Sequence, residues 1–140
     1  MNILVVGDVM LDINYESQIL RNAPEADIPI YNVINTTYKL GGACNVVKNL
    51  HSLNVNTTIM SIIGSDNMGE KIISMLKEDN IFYELINVPT RPTSQKHRHF
   101  IKNKIVSRHD IETSEYINEK IEKEFPVSYT HLTLPTKRIV

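Results

Sequence analysis

The sequence predicts an α/β protein built on a parallel sheet, and three observations carry the prediction. Ile3 to Val6 is a short, continuous apolar run ending at Gly7, as expected of a strand buried on both faces. Ala43, Val46, Val47, Leu50 and Leu53 then recur at helical spacing. Finally, "TTIMSIIG", "SDNMGEKIISMLKEDN" and "FYELINV" repeat the order strand, helix, strand. Such alternation implies right-handed crossovers, with ligands gathering at the carboxyl ends of the strands.

Each element has a local reason. After Gly7 the chain reads as polar. Asp27 to Leu40, "DIPIYNVINTTYKL", holds β-branched and aromatic residues broken by Pro29 and Asn35, which predicts one or two edge strands. Asn54 is a suitable left-handed stop for the first helix. The second helix is entered at Asp66 or Asn67 and turns Ile72, Ile73, Met75 and Leu76 inward. Gln95 to His109 holds two β-rich pieces around "KNK", where Asn103 tolerates turn geometry, so a hairpin is expected. Thr113 to Phe125 reads as a charged helix. The remaining stretch, "PVSYTHLTLPTKRIV", is rich in Thr and lacks acids.

Composition limits the function. A chain of 140 residues with 41% hydrophobic content suits one globular core. The net charge of -1, with basic residues spread along the chain, argues against nucleic-acid or membrane partners. Cys44 is the one cysteine, which fits a reducing compartment. "MNILVVGDVMLD" lacks a basic n-region and a long apolar run, so neither a signal peptide nor a membrane span is expected and the protein reads as cytoplasmic.

The chemistry concentrates at the first strand end and at the first helix. "GDVMLD" supplies Asp8 and Asp12, and "KLGGACN" supplies Gly41, Gly42 and Asn45. Glycines before a helix bring backbone N–H groups against an anion, yet two carboxylates nearby repel phosphate and accept from hydroxyls, as does Asn45. The lysine and Ser/Thr of a P-loop and the Gly-x-Gly-x-x-Gly of a dinucleotide fold are both absent. A polyhydroxyl ligand fits best. His97 and His99 alternate on the hairpin without a Cys or carboxylate at metal-ligand spacing, so no metal is expected. Cys44 reads as a small packed residue rather than a reactive thiol.

"GDVMLD", "GGACNVVKNLHSLN" and "IGSDNMGEKI", in this order, resemble the amino-terminal half of the ribokinase-like sugar kinases, the PfkB family. Gly41, Gly42, Ala43, Asn45 and Gly64 fall on that family's first signature, while Val47 and Asn54 depart from it. "RNAPEADIPI" and "VPTRPTSQKHR" look most like the D-glycero-β-D-manno-heptose 7-phosphate kinases, although Asp27 stands where a proline is usual. The resemblance implies the amino-terminal half of a three-layer parallel-sheet fold, spanning residues 1–126, with a small β-lid from pieces near 13–40 and 95–109. It also implies transfer of a phosphoryl group from ATP, with Mg²⁺, to the anomeric oxygen of a heptose 7-phosphate, a step toward lipopolysaccharide-core precursors. Asp12, Gly41, Gly42 and Asn45 match its sugar-binding positions. The lid would cover the sugar and serve as a homodimer contact. Lys96, Arg98 and Arg108 lie on the hairpin, where alternation turns Lys96 and Arg98 to one side, and either hold the substrate's phosphate or are solvated lid charges.

The family's second signature, Asp-Thr-x-Gly-Ala-Gly-Asp, which supplies the anion hole and catalytic base, does not occur in this sequence. The chain is therefore expected to be inactive by itself. Residues 127–140 resemble translated cloning or adaptor read-through and are read as a non-native tail, against the alternative of a genuine strand at Leu132 to Leu134. Two readings follow: the front of a heptose 7-phosphate kinase, or of another PfkB-family sugar kinase, and a non-catalytic sugar-phosphate-binding or dimerising fragment. An open reading frame continuing past codon 126 to the missing signature would separate them.

Overall fold

A computed structural model describes residues 2–115, 117, 119–123 and 137–139. The body is a parallel sheet in which β1 (Asn2–Val6) lies beside β4 (Asn56–Gly64), and β4 beside β5 (Phe82–Val88). Helices α1 (Ala43–Ser52) and α2 (Asn67–Glu78) make the crossovers. Both pack on one face of the sheet, where Ile3, Val5, Ile59, Ile63, Val47, Ile72 and Leu76 form a single buried cluster. Full burial of a side chain such as Ile59, Ile72 or Leu76 contributes about 1.5–3 kcal/mol. Leu4 and Met60 alternate to the other face and are buried there as well.

A second sheet is antiparallel except at its centre. It contains β2 (Val9–Asn22), β3 (Pro29–Gly42), β6 (Gln95–Ile101) and β7 (Lys104–Ile111), in the order β3-β2-β6-β7. Here the structure corrects the polar reading after Gly7, because a strand of 14 residues begins two residues later. Val9, Leu11, Ile13 and Ser17 are buried while Glu16 and Gln18 are exposed, which is the two-residue period of a half-buried strand. β3 is one edge strand, opened by Pro29 where a missing N–H costs nothing. Leu11, Ile13 and Leu40 join the core cluster and so weld the base of this second sheet to the body.

Local signals explain the element ends. Leu53 caps α1, and Asn54 follows with φ 58°, the left-handed stop expected from sequence. Asp66 caps α2 by accepting from the Gly69 amide at 2.8 Å. The hairpin turns at Lys102 and Asn103, with φ of 46° and 64°, as a two-residue loop of the primed type requires. The charged helix expected from Thr113 is shorter among the described residues, where helix occupies 119–123. The Thr113 hydroxyl accepts from the Glu115 amide at 3.2 Å, and the Thr113 carbonyl accepts from Arg91 at 3.4 Å. These local bonds compete with the helix ladder.

The alternative strand at 132–134 lies outside the described residues. β8 (Lys137–Ile139) pairs parallel with β1 on the side away from β4. Among the described residues no helix is long and apolar enough to cross a membrane.

Candidate functional site

Strand register assembles the site. β2 and β3 pair so that Met10 faces Gly41 and Asp12 faces Lys39. A Cβ on Gly41 would lie 2.7 Å from Asp12 Oδ2, so only glycine leaves the carboxylate its present place. Arg98 Nη1 donates to Asp12 Oδ1 at 2.8 Å, both side chains being about one-fifth exposed. Asp12 is thus held between the two strands that flank β2. Gly42 has φ 61° and ψ -134°, and its backbone hands the chain into α1 without any side-chain cap. The Ala43 amide instead donates to the Asp8 carbonyl at 2.9 Å, tying the helix start to the end of β1.

The same face of the second sheet carries the cations. Arg98 lies opposite Arg108 in register and Lys96 opposite Asp110. Lys96 Nζ stands 3.1 Å from Asp110 Oδ2 and 3.8 Å from Glu112 Oε2. Arg108 grips the same carboxylate with Nε at 2.9 Å and Nη2 at 2.7 Å. The Arg108 hydrogen bonds, aided by Lys96, hold the Asp110 carboxyl well below the usual carboxylate range, and the same bonds raise Arg108. Lys96 and Arg98 share a face, as alternation predicts, but each meets a different carboxylate. A ligand phosphate would have to compete with Asp110 for Lys96 and Arg108.

Asp8 and Asn45 stand apart from this cluster. Asp8 is exposed and lines a cavity of about 430 Å³ with Gly7, Ser61, Arg91, Thr113 and Glu115, at the carboxyl ends of β1 and β4. Asn45 is exposed on the first turn of α1. A cavity of similar size, about 410 Å³, opens at the amino ends of β1, β4 and β5, away from every predicted site residue. Cys44 is fully buried, and burial pushes its thiol up to about 12.

The other face of the second sheet is aromatic. Tyr31, His99, Tyr15, His97 and His109 stack in a row with successive ring centroids 5.7, 4.6, 5.8 and 4.4 Å apart. His97 uses both ring nitrogens, one against the Tyr15 hydroxyl at 2.8 Å and one against Gln95 Oε1 at 3.1 Å. Burial first, and then the neighbouring histidines, lower the pKa of His97 and His99. Among the described residues no group of three His, Cys, Asp or Glu side chains is arranged to hold a metal.

Two members of the basic face escaped sequence reasoning. Asp110 belongs to the alternating run Arg108, Asp110, Glu112, and Asn14 follows Asp12 by two on β2, opposite Arg98. Both signals are period-two patterns that become visible only once β2 and β7 are given their full lengths.

Comparison with known proteins identifies the family and the fold. The model of the pfkB family of carbohydrate kinases matches residues 1–129. The bifunctional protein HldE of Proteus mirabilis is 33% identical over 131 residues, covering 89% of this chain and 28% of that protein. HldE of Klebsiella pneumoniae is 36% identical over 110 residues, 79% of this chain and 23% of that protein. The chain therefore spans about a quarter of the length of these relatives. Phosphofructokinase-2 of Escherichia coli, solved with fructose-6-phosphate, superimposes with a TM-score of 0.71 at 15% identity, over 99% of this chain and 44% of that one. Ribokinase of Thermotoga maritima gives 0.55 at 18% identity, over 79% and 35%. The fold is the ribokinase-like α/β fold, and the chain belongs to the pfkB family of carbohydrate kinases.

Proposed function

We propose that this chain is the sugar-binding front of a kinase that phosphorylates D-glycero-β-D-manno-heptose 7-phosphate at its anomeric oxygen. The observation that carries the reading is the Asp12 carboxylate seated over Gly41 on the lid face that also presents Lys96, Arg98 and Arg108. A carboxylate accepts from sugar hydroxyls, and the cations suit the substrate's own phosphate. The resemblance of "GGACN" to the family's first signature supports assigning Gly42 and Asn45, at the start of α1, to the same sugar, while Asp8 lines the neighbouring cavity beyond β1. Similarity to the HldE proteins and the "RNAPEADIPI" segment support a heptose over another sugar.

The family implies ATP and Mg²⁺, and the described residues do not fit them. The glycine-lined helix start opens beside the Asp12 carboxylate and the Asp8 carbonyl, which repel a triphosphate. We therefore assign this chain binding and orientation of the sugar, with no step of phosphoryl transfer. The lid, with Ile19, Val33, Ile34, Ile105 and Val106 exposed, is proposed as a contact between two copies.

Calorimetric titration of the chain with heptose 7-phosphate, the unphosphorylated heptose and ATP tests the assignment. The phosphorylated sugar should bind more tightly than the free sugar, and neither should be turned over with ATP. Asp12→Asn should weaken both sugars by about 1–3 kcal/mol, because one acceptor becomes a donor opposite a hydroxyl. Lys96→Ala should weaken only the phosphorylated one. Unchanged sugar affinity in Asp12→Asn, or turnover that survives removal of contaminating kinases, would overturn the assignment.

A further inference from the structure

The segment "IGSDNMGEKI" lies outside the proposed sugar site, yet it holds a connected set of buried and part-buried polar contacts. Asp66 Oδ1 accepts from the Gly69 amide at 2.8 Å, which is the helix cap. A cap needs only this one oxygen, and Ser or Asn would serve as well. Oδ2 accepts from the Thr93 amide at 2.8 Å, outside the helix. Thr93 is 1% exposed, and its hydroxyl accepts from the Gly64 amide at 3.0 Å. One residue on, the Ser94 carbonyl accepts from the Leu11 amide at 2.9 Å. The packing is backbone against backbone. A Cβ on Gly64 would meet the Arg91 carbonyl at 2.5 Å, and one on Gly69 would meet the Gly64 carbonyl at 2.6 Å.

Thr93 lies two residues before β6, and Arg98 lies on β6 with its guanidinium on Asp12. A strand rises roughly 3.3 Å per residue, so a fixed root at Thr93 fixes where Arg98 arrives about 16 Å further on. We propose that Asp66 is a positioning residue for the lid: its second carboxylate oxygen latches the root of β6 to the start of α2 and so sets the meeting of Arg98 with Asp12. The proposal rests on the reading of Asp12 as a sugar ligand only for its effect on binding. The latch itself stands on the contacts. Burial alone would raise the Asp66 pKa, but bonds from Thr93, Gly69 and Met68 outweigh it and leave the group lowered, hence a carboxylate at neutral pH.

Amide hydrogen exchange on the 140-residue chain tests the latch. Asp66→Asn and Asp66→Ser keep the cap, so α2 amides should exchange as in the wild type. The Thr93 and β6 amides should exchange about tenfold faster or more, from loss of a hydrogen bond to a charged group. Affinity for heptose 7-phosphate should fall in parallel. Asp66→Ser decides the matter if Asp66→Asn fails to fold, and Thr93→Val, which keeps the donating Thr93 amide and removes only the hydroxyl that accepts from Gly64, should leave β6 exchange closer to wild type than either Asp66 variant. Wild-type β6 exchange in Asp66→Asn, or an equal acceleration of β1, β4 and β6, overturns the latch. A wild-type chain that binds no heptose 7-phosphate overturns the sugar reading instead and leaves the exchange result to judge the latch.

Discussion

Substitution of the two glycines ahead of α1 separates a steric requirement of the backbone from one of the ligand site. Gly42 has φ 61° and ψ -134°, a region open essentially to glycine alone, so a side chain there costs about 1–3 kcal/mol. A Cβ would also lie 2.3 Å from the Asp8 carbonyl oxygen, a backbone atom that already accepts from the Ala43 amide at 2.9 Å. Relief requires moving that carbonyl and losing the hydrogen bond, a further 0.5–1.5 kcal/mol or so. Gly42→Ala should therefore destabilise the fold by about 2–4 kcal/mol, a large share of the roughly 5–15 kcal/mol typical of a domain. Gly41→Ala differs in kind, since its Cβ meets the tip of the Asp12 side chain at 2.7 Å and Met10 Cγ at 3.0 Å. Asp12 can swing away, giving up the partly exposed pair with Arg98, which is worth about 1 kcal/mol or less. Urea denaturation with an unchanged m-value measures both. The reasoning fails if Gly42→Ala unfolds within 0.5 kcal/mol of the wild type, or if Gly41→Ala proves the more damaging of the two.

The aromatic row predicts an acid-sensitive second sheet. His97 and His99 titrate below their ordinary value of 6.5 in the folded chain, so the unfolded chain binds protons more readily. Stability should be fully present above about pH 6.5 and decline as pH falls below it, and His109→Gln, which removes the ring 4.4 Å from His97, should flatten that decline. A pH-independent midpoint of unfolding between pH 5 and 7 would refute this, and losses from Asp66 and Asp110 belong to a lower window because both carboxyls are lowered. Cys44, fully buried with its thiol pushed up to about 12, should resist alkylation by iodoacetamide at pH 8 in the native chain and react once urea unfolds it. Rapid native-state labelling would show that the start of α1 opens.

Sequence alone determined the elements whose signals are local. β1, α1, β4, α2 and β5 follow from apolar runs and helical spacing, and Asn54 and Asp66 act as the stop and the cap that their chemistry predicts. The pieces of the site were also legible, because Asp12, Gly41 and the hairpin cations each sit in a short recognisable stretch. Only the tertiary structure decided how they meet. β2 hides in sequence because its outer half is exposed on both faces, with Ile19 and Leu20 adjacent rather than alternating with polar residues, and its partners β3 and β6 lie far along the chain. Its register with them puts Asp12 against Gly41 and Arg98, and turns the histidines to the opposite face. The Asp66 latch is equally nonlocal, since a cap signal in sequence accounts for one carboxylate oxygen and is silent on the other. Hydrogen bonding between residues 27 and 86 positions apart is a property of strand pairing and packing, which no local pattern encodes.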